Sequence, residues 1–456
     1  MKVLEVIHGY PPQYSAGSEI YTQMLSEELL RRGHSVSVFC RKEDPFSDEY
    51  SLDTEVRNGV RLHIVNHFTS KDRFKNEMVE KRFEEIVKEE EPDAVHIGHL
   101  NHLSTGIPEI SKQHNCAVVL TLHDYWLACP RGQFLQMTPS EGRTWPLCPG
   151  QEDSRCADRC YSRMYAGTED MQKRDFEYWK AWVHSRMKEM HRQLDFIDFL
   201  ISPSGYVKKR LCNELKLDPD RILIEQYGFD HKRLSGRKRN SDSRFVFGYM
   251  GRIIPAKGVS DLIKAFGTVY GNSELKIWGA SSLSDIATLK DLVASLPEKV
   301  AGRVRFLGAY DNREIVRQVL DNVDVIVVPS IWDENSPMVI QEALHAKVPV
   351  IAPDHGGMSE LVHDGINGLS FTHRNVNALA SKMQLAINSP DWLERLGMRG
   401  NAYSADGSAH PVDEHARFLE NLFNKTLRDM KICKEVDTVG SGRAVKEVES
   451  AAVRNS

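Results

Sequence analysis

The stretch Val325-Ile-Val-Val-Pro-Ser-Ile-Trp-Asp-Glu-Asn-Ser-Pro-Met-Val-Ile-Gln-Glu-Ala-Leu344 decides the reading of this chain. Its first four residues are apolar and β-branched, the composition of a strand buried on both faces of a parallel sheet. From Pro337 onward, Val339, Ile340, Ala343 and Leu344 fall at helical spacing, and proline suits a first helical turn. The segment therefore reads as a strand-to-helix crossing, and ligands of such sheets collect at the carboxyl ends of the strands. It carries two carboxylates. Glu334 lies in the loop above the strand and Glu342 about one and a half turns into the helix, so both can face one crevice beside the amides of Asn335 and Ser336. Carboxylates accept hydroxyl hydrogens and helix-start amides attract phosphate, so one module could hold both halves of a sugar nucleotide.

The same alternation recurs outward in both directions. Short β-branched runs at 3–7, 36–39, 60–64, 94–97, 117–122, 199–202 and 222–225 alternate with amphipathic stretches, and a second series occupies 245–250, 275–278, 304–307, 325–328, 350–352 and 369–371. Each series predicts an α/β unit with a parallel sheet covered by helices. A chain of 456 residues exceeds one ordinary core, which suits two units of similar size. The expected organisation is a first domain over 1–229 with a cysteine-containing insertion at about 129–160, a polar, basic linker over 230–243 and a second domain over 244–410. A helix over 411–431 is expected to return toward the first domain. The tail, 432–456, lacks hydrophobic periodicity and is expected to be disordered.

A net charge of −5 argues against a general nucleic-acid binder, since counterion release needs a concentrated basic footprint. There is no basic leader followed by a long apolar core, and no segment long enough to cross a bilayer. A cytoplasmic protein is expected. The run 171–194 places Phe176, Trp179, Val183, Met187, Met190 and Leu194 on one helical stripe, with Lys173, Lys180, Arg186, Lys188 and Arg192 elsewhere. That stripe either packs on the first domain, the preferred reading, or rests on the inner face of an anionic membrane. Four of eight cysteines, Cys129, Cys148, Cys156 and Cys160, share one Pro/Gly-rich stretch of low apolar content. In a reducing compartment they are either a structural zinc clip or unbridged thiols, with disulfides disfavoured.

Other loops at strand ends carry chemistry. Gly251-Arg-Ile-Ile-Pro-Ala-Lys-Gly258 sets Arg252 and Lys257 in one loop, where two cations could neutralise a diphosphate; the plain alternative is a solvated basic turn. Gly279-Ala-Ser-Ser is a small-residue turn that permits close ligand approach. In the first domain, Tyr14-Ser-Ala-Gly17-Ser-Glu opens a helix whose start can hold an anion or be simply capped. His123-Asp follows a buried strand, where active-site groups collect. Asp218-Pro-Asp220 has carboxylate spacing but reads as a turn.

Together, Gly-Tyr-Pro-Pro after the first strand, Ala16-Gly17-Ser-Glu, His123-Asp, Pro203-Ser, Tyr227-Gly-Phe-Asp230, Gly251-Arg with Lys257-Gly, the Glu334 and Glu342 pair, Pro349-Val-Ile-Ala and Asp364-Gly-Ile-Asn-Gly resemble glycosyltransferase family 4 of the GT-B fold, up to about residue 430. The resemblance implies two Rossmann-like, doubly wound domains facing across a cleft. It also implies that Glu342 binds ribose, Arg252 and Lys257 the diphosphate, and Glu334 with the amides of Asn335 and Ser336 the donor sugar. Gly17 and the Gly251 and Gly279 turns would approach the donor, and His123 the sugar near its reacting carbon. One departure stands out: Lys347 occupies a helix end where the family commonly has glycine, costing on the order of 1 kcal/mol if the backbone there is left-handed.

What the resemblance implies in function is a retaining, metal-independent hexosyltransferase. It would use a nucleotide diphosphate sugar and a saccharide or lipid-linked acceptor, in cell-surface polysaccharide or glycoconjugate synthesis. No carboxylate is evident for a double displacement, so a front-face substitution is preferred, in which the leaving diphosphate takes the acceptor proton. A non-catalytic nucleotide-sugar-binding protein, or a GT-B epimerase or phosphorylase, would share the fold.

Overall fold

The structure, a computed structural model, describes residues 1–69, 74–139, 144–240 and 244–452, with side chains as far as residue 432. Its first sheet comprises β1 (Lys2–Val6), β2 (Ser35–Lys42), β3 (Leu52–Arg57), β4 (Val60–Asn66), β5 (Ala94–Ile97), β6 (Ala117–Thr121), β7 (Phe199–Ser202) and β8 (Ile222–Ile224), in the order β3-β4-β2-β1-β5-β6-β7-β8. All neighbouring strands in it are parallel except β3 and β4. The second sheet comprises β9 (Phe245–Met250), β10 (Ser273–Trp278), β11 (Val304–Gly308), β12 (Val325–Val327), β13 (Val350–Pro353) and β14 (Gly368–Phe371), all parallel, in the order β11-β10-β9-β12-β13-β14. These two doubly wound units form a GT-B fold.

Every expected β run is a strand, because a central parallel strand is apolar on both faces: β1, β5, β6, β12 and β13 are buried almost throughout. The strand missing from the sequence reading is β3. It is a charged edge strand exposed along most of its length, so it carries no hydrophobic pattern. Its one signal is Asn58-Gly59, both with positive φ, the two-residue turn of a hairpin with β4.

The helix Gly17–Arg31 buries Ile20, Tyr21, Leu25 and Leu29. The apolar stripe of the helix Glu169–Leu194 is its inner face, with Trp179, Val183, Met187, Met190 and Leu194 buried, so this stripe is not a free membrane-facing surface. Arg186, expected among the outward cations, is instead fully buried, with its guanidinium 4.5 Å from the Trp126 ring centre and bonded to the Trp126 carbonyl. Among the described residues no helix is long and apolar enough to cross a membrane.

The described part of the 230–243 run is not a loose linker. His231–Leu234 is helical, Arg237 donates to the carbonyls of Leu320 and Val323, and Arg239 forms a two-point pair with Asp324 at 2.7 and 2.9 Å. Residues 241–243 lie outside the described part. The last helix, Val412–Ala452, buries Ala416, Leu419 and Phe423 and packs on β6 and the helix Gly17–Arg31. Arg32 grips Glu420 with two bonds of 2.6 Å. The backbone of this last helix is helical as far as Ala452, and 453–456 lie outside the described residues.

Candidate active site

The second domain builds one wall of the crevice from three loops at the carboxyl ends of β9, β10 and β12. Lys257 Nζ lies 2.6 Å from Glu334 Oε1, which also accepts from Ser330 Oγ at 2.5 Å. Glu334 is buried, and Lys257 stands 5.5 Å from the Trp332 ring centre, so this ion pair is screened from water on one side. Arg252, earlier in the same loop as Lys257, is exposed. Below, Glu342 is buried and paired with a residue no motif indicated: Arg233 Nη2 lies 2.8 Å from Glu342 Oε1, and its Nη1 donates to Asn312 Oδ1 at 2.7 Å. Both side chains of this pair are under a tenth exposed. The helix Met338–His345 begins with no side-chain cap on its amides.

The other wall comes from the first domain. The helix Gly17–Arg31 also starts with no side-chain cap. A Cβ on Gly17 would lie 3.5 Å from Met338 Sδ, so the starts of the two uncapped helices lie near each other across the two domains. Helix starts carry partial positive charge. Half-buried His123 stacks on Tyr227 with ring centres 5.3 Å apart and places Nδ1 2.9 Å from the Tyr227 hydroxyl. Its Nε2 has no partner. Burial, reinforced by the neighbouring His99, His96 and His8, pushes the pKa of His123 well below 6.5, so the ring is neutral and offers an uncharged hydrogen-bonding nitrogen.

Behind it, His8 pairs with Glu19 at 3.1 Å. Burial pushes the Glu19 carboxyl up, but bonds from His8 and Ser18 prevail and hold it at about 2. Fully buried Glu5 and His96 are 2.7 Å apart, and His96 continues to Thr121 at 2.8 Å.

Three further residues expected near the donor make contacts of their own. The Asn335 side chain is spent on joining the domains: it donates to the Leu122 carbonyl at 2.7 Å and the Tyr227 hydroxyl at 3.2 Å and accepts from Ser204 at 3.1 Å. Ser336 accepts from Gln341 at 3.0 Å. Gly279, at φ 157°, is required by packing, because a Cβ there would lie 1.8 Å from the Gly251 carbonyl oxygen. A further interdomain contact escaped the sequence reading: the Glu360 carboxylate accepts from the amides of Gly205 and Tyr206 at 2.9 and 2.6 Å, capping a first-domain helix from the second domain.

Cys129, Cys148, Cys156 and Cys160 line one small cavity and are unbridged. No three of their sulfurs approach within metal-sharing distance of one another. The stretch orders itself differently from the zinc-clip expectation. Phe134 and Leu135 are buried, Trp145, Leu147 and Tyr161 pack against the first-domain core, and Tyr161 stacks on Trp179 at 4.1 Å. Burial pushes the Cys156 and Cys160 thiols up to about 12, which keeps them protonated. Asp218 caps the turn Pro219–Arg221 through the Asp220 amide, a structural turn.

Two doubly wound parallel-sheet domains of this topology are those of the GT-B fold. The chain belongs to glycosyltransferase family 4: the family pattern "Glycosyltransferase Family 4" matches residues 15–233 and "Glycosyl transferases group 1" matches 231–403. It is 24% identical to an uncharacterized glycosyltransferase of Methanocaldococcus jannaschii, covering 96% of this chain and 99% of that one. It is 26% identical to the capsular polysaccharide biosynthesis glycosyltransferase CapM of Staphylococcus aureus, over 46% of this chain and 53% of that one. Among solved structures, Anabaena HepE in complex with UDP and glucose superposes with a TM-score of 0.65 at 17% identity, covering 93% of this chain and all of that one.

Proposed function

We propose that this protein transfers a hexose-type sugar, with retention, from a nucleotide diphosphate sugar to a hydroxyl of a saccharide or lipid-linked acceptor in cell-surface polysaccharide or glycoconjugate synthesis. The observation that carries this reading is the Lys257–Glu334 pair at the carboxyl end of the second sheet, four residues before the uncapped helix start at Met338, which the uncapped helix start at Gly17 approaches from the first domain. Such an arrangement suits a diphosphate whose charge grows as it leaves. The UDP and glucose bound by HepE and the capsular role in the name of CapM favour this donor and acceptor class.

In this reading Arg252 and Lys257 meet the diphosphate, and Glu334 orients Lys257 while its remaining oxygen accepts from donor-sugar hydroxyls. Arg233 holds one oxygen of Glu342, leaving the other for the ribose hydroxyls. His123 Nε2 meets the sugar near its reacting carbon. The bond from the anomeric carbon to the diphosphate oxygen breaks while the acceptor oxygen bonds on the same face, and the acceptor proton passes to the departing diphosphate. Side-chain cations and helix amides supply the positive field, so the step calls for no divalent metal.

A donor screen measuring nucleoside diphosphate release, with and without lipid or oligosaccharide acceptors, tests this. Acceptor-dependent release with one donor is expected. Donor binding without release from any donor would make the crevice a non-catalytic nucleotide-sugar site, and conversion of the sugar nucleotide without acceptor would make it an epimerase.

A further inference from the structure

Away from the crevice, three side chains meet where the last helix rejoins the first domain. Glu225 follows β8, His410 precedes the helix Val412–Ala452, and His415 lies in its first turn. One ligand-capable atom from each lies within 4.8 Å of the other two. Glu225 Oε1 is 2.8 Å from His410 Nε2 and 3.8 Å from His415 Nδ1. Zinc–nitrogen and zinc–oxygen bonds of about 2.0–2.2 Å in a tetrahedron hold ligand atoms roughly 3.3 Å apart, between these two values.

Glu225 is within hydrogen-bonding distance of His410 but, at 3.8 Å, not of His415. That residue is 1% exposed, and its Nδ1 has no hydrogen-bond partner. A buried polar atom left in this way is costly unless something occupies the site. Its Nε2 is 2.6 Å from the Tyr21 hydroxyl. With the proton on Nε2 and donated to Tyr21, Nδ1 turns a lone pair toward Glu225, the tautomer a metal requires.

The scaffold does not depend on the ion pair. Phe229 N donates to the His410 carbonyl at 2.8 Å and Val412 N to the Phe229 carbonyl at 3.0 Å. Entry is open, since the side chains of Glu225 and His410 are 19% and 23% exposed.

We propose that Glu225, His410 and His415 form a binding site for one divalent transition-metal ion of the zinc type, with water as the fourth ligand. One ligand belongs to the first domain and two to the returning segment, so an ion bound there fastens that return. By mass action it stabilises only the form in which the return is docked.

The test uses the full chain stripped with a chelator and titrated with zinc chloride by calorimetry, with melting temperature read in parallel. One equivalent is expected to bind and to raise the melting temperature. His410→Ala and Glu225→Gln, both at partly exposed positions, should each weaken that binding about tenfold or more. Cys156→Ser should leave it unchanged. Absence of zinc binding would overturn the proposal, as would binding equally strong in His410→Ala and Glu225→Gln, or binding lost in Cys156→Ser alone.

Discussion

The two walls of the crevice are built from opposite chemistry. The second-domain wall is charged and paired, with Lys257 on Glu334 and Arg233 on Glu342. The first-domain wall is dominated by aromatic rings and histidines, of which His8 and His123 are kept neutral by burial: Tyr21 packs against His123 and Tyr227 at 4.9 and 5.1 Å, and His8 against His99 at 4.7 Å. Fixed charge suits a diphosphate, whereas a neutral wall can meet sugar hydroxyls without adding charge next to an oxocarbenium-like centre.

Acid should break this contrast, with the largest effect because several sites act together. His8, His123 and His415 have lowered pKa values through burial, as does His102, down to about 3. In the second domain, burial also lowers His345 and His373 to about 4. A group with a lower pKa in the native state takes its proton on unfolding, so its stabilisation is complete above the unfolded value near 6.5 and is lost as pH falls toward the native value. Glu19 and Glu225, both held at about 2, add a second loss below their unfolded value of about 4.5. Chemical denaturation from pH 7.5 to 4 should show stability falling from about pH 6.5 downward, and a flat profile between 6.5 and 5 would contradict neutral histidines.

The charged wall breaks differently. Arg233→Ala leaves Glu342 buried without its cation and should cost about 3–5 kcal/mol in denaturant unfolding, with a raised donor KM in whatever folds. The double variant Arg252→Ala, Lys257→Ala should lower kcat by about 10²–10³-fold if these groups stabilise the leaving diphosphate. An unchanged kcat would remove them from that role.

The smallest expected effect lies just behind this wall. Lys347 has φ 62° at the end of the helix Met338–His345, where Val348 N donates to the Ala343 carbonyl and Lys347 N to the Leu344 carbonyl, a Schellman closure. Lys347→Gly should raise stability by about 1 kcal/mol, read as an upward shift in melting temperature, less whatever the Lys347 bond to the Asp406 carbonyl contributes.

Much of the fold was legible because buried parallel strands are apolar on both faces; β3 was not, because an exposed edge strand has no such signature. The cation loop and its carboxylates were legible as loops after strands. The partner of Glu342 was not. Arg233 stands 109 residues away in a basic run whose composition resembles a solvated linker. Arg186 was misplaced for a related reason, since its burial depends on Trp126 approaching from another loop. The cysteine stretch read as poor in apolar residues, yet Tyr161 gains its order by stacking on Trp179 of a separate helix.

By itself, the sequence determined two repeated α/β units and the strand-to-helix crossing with Glu334 and Glu342, because periodicity and loop position are local properties. Tertiary structure alone decided which charges neutralise one another, that Asn335 and Glu360 bind the domains together, and that Glu225, His410 and His415 meet. These are pairings between distant segments, and they form only when packing brings the segments to hydrogen-bonding range, where desolvation makes each partner matter.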